Sequence, residues 1–391
     1  MTENIYPSAK LNCAITDTSA SFDPQLPLGK EAGTALAFEG KLLPPGICVT
    51  EDGKMVLSFL APQAASVSAE VHRQRYELEK DIDGLWTAVV EGGTGGFCPV
   101  AFYVDGAEVL NPMAPIGFGA SRPINYADIP QPDRDFFLYR EEVPHGSVTQ
   151  EYYPSKVAGC VRSCLVYTPP GYMKGGREEY PVLYLQHGHG ENEQCWVHQG
   201  RANFILDNLI AQGKAAPCIV VMNNGMVQKV EDGLRVLDIE KLTDVLLQDC
   251  LPFIESRYRV RTSKWDRAMA GLSMGSMQTS VTTLSHPELF GYAGVFSGFV
   301  ASHKGRYQNS PHLAELDNKE KFEQDFKVFF RACGDTDFVA LDSFKRDGEL
   351  FAEKGLAPGE SKAHIEKIYI GEHEWNVWRE CLRDFAQLIF K

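Results

Sequence analysis

Apolar positions follow no sustained period over residues 1–38, which read as a tail or surface strap. From about residue 45 to 125 the pattern changes to short strand-like runs. These are Met55-Val-Leu-Ser-Phe-Leu60, Ser66-Val-Ser-Ala-Glu-Val71, Trp86-Thr-Ala-Val-Val90 and Val100-Ala-Phe-Tyr-Val104. Turn signals separate them: Glu51-Asp52-Gly53, Asp83-Gly84, Glu91-Gly92-Gly93 and Asp105-Gly106. Short strands at this spacing, without a helical pattern, predict a β-sandwich over 39–127. A stretch rich in Pro and Asp opens a linker at 128–149.

Beyond the linker, strand-like runs alternate with helical ones. That alternation predicts βαβ units and a mainly parallel sheet over 150–391. Strands are expected at 163–167, 182–186, 218–222, 267–270, 294–297, 328–333 and 365–370. Helices are expected at 201–212, at 241–258 with a kink at Pro252, and at 342–354. A last helix places Trp375, Trp378, Leu382, Phe385 and Ile389 on one face.

Composition narrows the function classes. The chain has 391 residues, long enough for two domains, and 44% of them are hydrophobic, enough for large cores. The net charge is −14 and no basic cluster stands out, which argues against nucleic acid and anionic membrane as partners. No stretch is long and apolar enough to span a bilayer. Residues 1–25 are polar and lack an apolar core, so the sequence as written reads as cytoplasmic; a leader already removed would instead make it secreted. The ten cysteines are scattered, and Cys218, Cys250 and Cys333 fall in apolar runs, as reduced core cysteines do. Oligomeric state stays open, a homodimer included.

The sharpest chemical signal is Gly271-Leu272-Ser273-Met274-Gly275, between a short buried strand and a run of helical spacing at Met277, Val281 and Leu284. Strand, Gly-x-Ser-x-Gly, helix is the setting of a nucleophile elbow. A serine hydroxyl needs a base, and the base needs a carboxylate to orient it. Among the downstream histidines, His373 follows the last strand in Gly371-Glu372-His373-Glu374, at the carboxyl edge of the sheet. His286 reads as part of a helix-ending turn, and His364 begins a strand at the far edge. The acid should leave the preceding strand, in Gly334-Asp335-Thr336-Asp337. Asp337 lies further into the loop and is better able to reach back to His373; Asp335 reads as a turn residue bonding backbone two positions on.

Two N–H donors are needed for an oxyanion. Met274 supplies one, and the loop His187-Gly188-His189-Gly190 offers Gly188 and His189 for the other. His-x-His is also a ligand spacing, but no third ligand lies near, so neither metal nor cofactor is expected. Trp196, Trp375 and Trp378 are candidates to face an aromatic or sugar substrate, with core packing as the alternative on the last helix. The polar Gln186, at the end of its strand, joins them as a candidate contact.

Taken together, Gly-Leu-Ser-Met-Gly, Ala332-Cys-Gly-Asp-Thr-Asp337 and Gly371-Glu-His-Glu-Trp-Asn-Val-Trp378 resemble carbohydrate esterase family 1, the feruloyl and acetylxylan esterases and their enterochelin-esterase-like relatives. Arg162-Ser-Cys-Leu-Val-Tyr-Thr-Pro-Pro-Gly-Tyr172 and Tyr180-Pro-Val-Leu-Tyr-Leu-Gln-His-Gly188 are similar to its first strands. The resemblance implies an α/β-hydrolase fold with Ser273 as nucleophile, His373 as base and Asp337 as acid. It further implies a small-molecule or oligosaccharide ester as substrate: feruloyl or acetyl esters of plant carbohydrate, or the trilactone of a siderophore. Asp83-Gly-Leu-Trp86 and Phe102-Tyr-Val-Asp-Gly106 resemble early-set, immunoglobulin-like modules akin to glycogen-binding ones. In that setting Trp86 is expected to be a packing residue.

Overall fold

The computed structural model describes residues 37–38, 41–42, 45–50, 52–93, 95–129, 131, 133–301 and 310–391. The expected tail at 1–38 therefore lies almost wholly outside the described residues, as does His303. The chain divides between Asp135 and Phe136 into two units.

The first unit is all β and antiparallel. Ile47–Val49, Lys54–Leu60, Leu85–Glu91 and Glu79–Lys80 form one sheet. Val67–Val71, Gln74–Glu77, Gly96–Val104, Ala107–Val109, Ile116–Gly119 and Arg122–Ile129 form the other. Period-two alternation sends Met55 and Leu57 from one sheet, and Val67, Ala69, Val71, Val100 and Phe102 from the other, into a single core. Trp86 is buried in that core, its indole N–H donating to the Ala61 carbonyl at 2.9 Å. It packs, as expected, and offers no ring face to a ligand.

The second unit is an α/β domain built on one large, mainly parallel sheet. The strands of its main sheet are β1 (Ser147–Ser155), β2 (Cys160–Thr168), β3 (Val182–Gln186), β4 (Ile219–Asn223), β5 (Arg267–Leu272), β6 (Tyr292–Phe296), β7 (Val328–Gly334) and β8 (His364–Tyr369). They lie in the order β1-β2-β4-β3-β5-β6-β7-β8. β1, β2 and β4 pair antiparallel, and from β4 onward neighbours are parallel. β3 to β6 are continuous apolar or small runs because both faces are covered. One face packs Val182, Tyr184 and Met269 against Leu242, Leu246 and Ile254. Elsewhere Ala293, Val295 and Phe329 pack against Phe322 and Phe351.

Five helices matter here: α1 (Ala202–Ala211), α2 (Leu251–Arg257), α3 (Met274–Ser285), α4 (Leu341–Glu353) and α5 (Trp375–Ala386). The helix expected at 241–258 is interrupted. An α turn at Leu242–Val245 widens into a π stretch at Leu246–Cys250 before α2, which holds Pro252 in its first turn. Pro252 has no N–H, and its ring crowds the carbonyl one turn back. The wide turn accommodates both faults within a continuous helical path.

Two features differ from expectation. β1 begins inside the stretch read as linker, and residues 136–146 are fastened to α1. Asn208 donates to the carbonyls of Phe136 and Leu138, each at 2.9 Å. Asp207 accepts from the Gly146 N–H at 2.9 Å and from the Tyr167 hydroxyl at 2.7 Å, and meets the His145 ring at 2.9 Å. A polar, Pro-bearing segment carries no periodicity that would reveal such a strap.

α3 lies very close to β3 and β5. A Cβ on Gly275 would sit 2.5 Å from the His187 carbonyl oxygen and 2.8 Å from the Gln186 Cβ; one on Gly271 would sit 2.5 Å from the Gly275 carbonyl carbon. These are backbone clashes that no rotamer change relieves. Gly275→Ala is therefore expected to lower stability by about 2 kcal/mol or more, read from urea unfolding. A midpoint unchanged within error would refute this account of the packing.

Candidate active site

The tight α3–β5 junction leaves its first turn no room for ordinary backbone. Ser273 takes φ 51°, ψ −116°, a strained conformation for a residue with a Cβ. Its N–H is fixed to the Phe296 carbonyl of β6 at 2.9 Å, and its own carbonyl accepts from the Ser276 hydroxyl at 2.5 Å. The hydroxyl is thus held up from the carboxyl edge of the sheet, half-buried, at the positive end of α3.

Ser273 Oγ lies 2.9 Å from His373 Nε2, and His373 Nδ1 lies 3.0 and 2.9 Å from the two oxygens of Asp337. The Asp337 side chain has no exposure and that of His373 is 14% exposed, so solvent reaches the imidazole and not the acid. Burial by itself raises the Asp337 carboxyl, but the His373 hydrogen bond and charge and the Ala340 amide outweigh it and hold the group below its ordinary value. Val339 and Ala340 N–H groups bond Oδ1 at 3.0 and 2.8 Å. The Trp378 ring stands edge-on to His373, centroids 5.2 Å apart, and limits how the imidazole turns.

Asp335 has a different task from the turn role expected of it. Its Oδ1 accepts the N–H of Gly371 at 2.9 Å, and the Thr336 hydroxyl donates to the Gly371 carbonyl at 2.9 Å. The loop carrying Asp337 thus grips the loop carrying His373. Gly371 has φ 142°, outside the range comfortable for other residues, so it alone suits this gripped position.

Beside the serine runs the loop His187–Gly190. A Cβ on Gly188 would stand 3.4 Å from the Ser273 Cβ, which shows how near the loop comes. The Gly188 N–H, expected as an oxyanion donor, is turned away: it donates to Glu191 Oε2 at 2.8 Å. The amides of His189 and Met274 make no hydrogen bond within the described residues. His187 is buried; its Nδ1–H donates to the Gly188 carbonyl at 2.8 Å and its Nε2 accepts from Gly225 N–H at 2.9 Å. That pattern requires the neutral ring, and burial pushes its pKa down to about 4. With both ring nitrogens engaged, His187 is not half of a metal site.

The four candidate substrate contacts, Trp196, Trp375, Trp378 and Gln186, are all buried, as the core-packing alternative requires. Trp196 is 1% exposed, donates to the Gln186 carbonyl at 2.9 Å and meets Trp375 edge-on at 5.1 Å. Trp375 is 3% exposed and donates to Glu191 Oε1 at 3.1 Å. Gln186 lies beneath the elbow, paired with Gly271 and fully buried. A cavity of about 240 Å³ does open nearby, lined in part by Cys160, Arg162, Asn224 and Met226, with Met226 Sδ 3.4 Å from the Gly190 N–H. None of its residues stood out in the sequence, since their shared edge is made by strands distant in order.

Glu191 also escaped sequence reading, although it sits one position beyond the predicted loop. A family model described as a putative esterase matches residues 155–387. The chain belongs to this esterase family. Over 390 residues it is 35% identical to the endo-1,4-beta-xylanase/feruloyl esterase of Xylanibacter ruminicola, covering 96% of this chain and 50% of that protein. Over 216 residues it is 27% identical to endo-1,4-beta-xylanase Y of Acetivibrio thermocellus, covering 50% of this chain and 18% of that one. The chain thus spans half the length, or less, of these curated relatives. Among solved structures, a ferulic acid esterase from Anaeromyces mucronatus matches 66% of this chain and 95% of its own, with TM-score 0.57 and 21% identity. The enterobactin esterase of Shigella flexneri, crystallised in the presence of enterobactin, matches 85% and 92%, with TM-score 0.58 and 14% identity. At these identities both structures speak for the α/β-hydrolase fold.

Burial pushes the Glu191 carboxyl up to about 7, against the opposing pull of the Gly188 and Trp375 N–H groups. The folded protein therefore keeps this proton up to about pH 7, while the unfolded chain releases it near 4.5. Stability from this group is full below about pH 4.5 and falls as pH rises to about 7. Glu191→Gln removes that fall. Relative to wild type, the variant is expected to gain about 3 kcal/mol between those pH values, measured by urea unfolding. Parallel pH curves for the two proteins would contradict it.

Proposed function

We propose that this esterase-family protein is a serine carboxylesterase that cleaves feruloyl or acetyl esters of plant-derived carbohydrate. The observation that carries the reading is Ser273 Oγ at 2.9 Å from His373 Nε2, with Asp337 behind the ring. The relative named for xylanase and feruloyl esterase activity, aligned along nearly the whole chain, supports the choice of ester.

The chemistry follows from the geometry. His373 Nε2 takes the Ser273 proton as Oγ attacks the ester carbonyl carbon. The carbonyl π pair moves to oxygen, where the Met274 and His189 N–H groups receive the negative charge. Asp337 keeps the Nδ1–H tautomer in place and stabilises the imidazolium. On collapse the C–O bond breaks, and His373 Nε2–H protonates the leaving alkoxide. Water then repeats the sequence on the acyl-serine, giving the acid and free Ser273. An expelled sugar hydroxyl is a good leaving group once protonated, so the same apparatus serves any ester that fits.

A second reading, the trilactone of a catecholate siderophore, is supported by the larger share of the chain, 85%, over which the enterobactin esterase fold extends. It needs the same triad and a wider site.

Methyl ferulate, p-nitrophenyl acetate, feruloylated arabino-oligosaccharides and a catecholate trilactone separate these readings. Turnover is expected to be fastest with the feruloylated oligosaccharides. Ser273→Ala should lose at least about 10⁴-fold in kcat, and Asp337→Asn roughly 10³–10⁴-fold. Asp335→Asn, which weakens only the grip on Gly371, should lose less than about tenfold. Equal turnover by wild type and Ser273→Ala would sink the serine mechanism; preference for the trilactone would move the substrate to the second reading.

A further inference from the structure

One buried acid close to the site has no part in the triad. Glu191 lies in the segment that follows His187–Gly190, and both of its carboxyl oxygens are engaged. Oε2 accepts the Gly188 N–H at 2.8 Å, and Oε1 accepts the Trp375 indole N–H at 3.1 Å. The first partner is in the loop that approaches Ser273 Cβ; the second opens α5, two residues after His373. A single side chain therefore joins the loop beside the nucleophile to the helix that follows the base.

We infer that Glu191 is a positioning residue that fixes the oxyanion loop, holding the Gly188 amide turned inward so that the next amide, His189 N–H, faces Ser273. This rests on the reading of Ser273 as an acyl-transfer nucleophile. Committing the Gly188 N–H sets the plane of the 187–188 peptide. The Gly188 carbonyl is fixed in turn by His187 Nδ1–H at 2.8 Å and the Glu191 N–H at 3.3 Å. With both sides of Gly188 held, the following peptide has little freedom left. Positive φ at Gly190, 74°, then turns the chain away towards Glu191. Catalysis of this kind depends on donors already in place when charge develops, so a loop displaced by about 1 Å loses much of their effect.

The residue type matters. Both bonds are accepted by Glu191, and in its ionised form, above about pH 7, both oxygens are free to accept. An amide of the same shape has one acceptor and one donor. In Glu191→Gln one of the two N–H groups must face an NH₂, donor against donor. Removing the indole donor as well, in Trp375→Phe, frees the amide oxygen for Gly188 and leaves the NH₂ against an aromatic ring.

The test is a double-mutant cycle on the full chain, with active sites titrated by a fluorophosphonate and steady-state rates on p-nitrophenyl acetate. Glu191→Gln is expected to lose roughly 100-fold in kcat per titrated site, with KM changed less than about threefold. Its rate of phosphonylation, which places an oxygen in the same hole, should fall in parallel. In the Trp375→Phe background the same substitution should cost less than about threefold. A purely structural Glu191 would lower the folded, titratable fraction and leave kcat per site unchanged, and that result overturns the inference. Equal losses in both backgrounds overturn it as well. Wild-type protein that neither labels nor turns over removes the functional reading and this inference together; an active wild type with an unaltered Glu191→Gln removes this inference alone.

Discussion

Everything at this site depends on how closely α3 lies over β3 and β5. With Gly271 and Gly275 in van der Waals contact with each other and with Gln186 and the His187 carbonyl, the turn between strand and helix has no slack. Ser273 is forced to positive φ, and its hydroxyl has one direction in which to point. The same contact brings the end of β3 to the foot of the elbow, so the loop leaving β3 must pass beside the serine. Ser273 and the loop His187–Gly190 are thus placed by one packing constraint. The strain this requires is borne by a sheet whose central strands are covered on both faces.

His373 and Asp337 are placed by a separate device, the grip of Asp335 and Thr336 on Gly371. The two loops leave neighbouring parallel strands, β7 and β8, at the same edge. Backbone and side-chain bonds from Asp335 and Thr336 bind Gly371 at both its N–H and its carbonyl. Asp337 is then free of structural duties towards that loop and directs its carboxylate at His373. Division of labour between two aspartates two residues apart explains why both are present in one short turn. The neutral His187 and the buried Glu191 act on the other side of the serine, where the loop has no sheet partner and must be held by side chains.

Much of this was legible in the sequence, for definable reasons. Ser273, Asp337 and His373 each follow a strand, and a parallel sheet brings strand ends to one edge, so order along the chain translates into position. The strands β3 to β6 were legible because burial on both faces writes itself as a near-continuous apolar or small run. β1 was not: Glu151, Tyr153 and Ser155 face inward, and an inward acid is readable only once Arg257 is seen 2.8 Å away. The tryptophans stayed between two roles because an indole serves equally as a core filler or a ligand platform, and their burial favours the first. Gly188 and His189 could not be separated because a donor's direction depends on its partner, here a carboxylate three residues on.

Glu191 shows where reading by pattern stops and reading by contact begins. Its partners lie 3 and 184 positions away, and nothing in residue spacing joins them. Burying a carboxylate is costly, and the cost is visible in a carboxyl pushed up to about 7. An apolar or amide residue would relieve that cost but could not accept from two donors at once. The chain thus carries a destabilising group beside the loop next to Ser273, with the Gly188 and Trp375 N–H groups bonded to it. Local stability given up at the edge of a reaction centre, in exchange for a fixed array of donors, is what electrostatic preorganisation requires. The aromatic cluster beneath the site is then best understood as the dry, rigid wall that keeps this acid and its two donors in register.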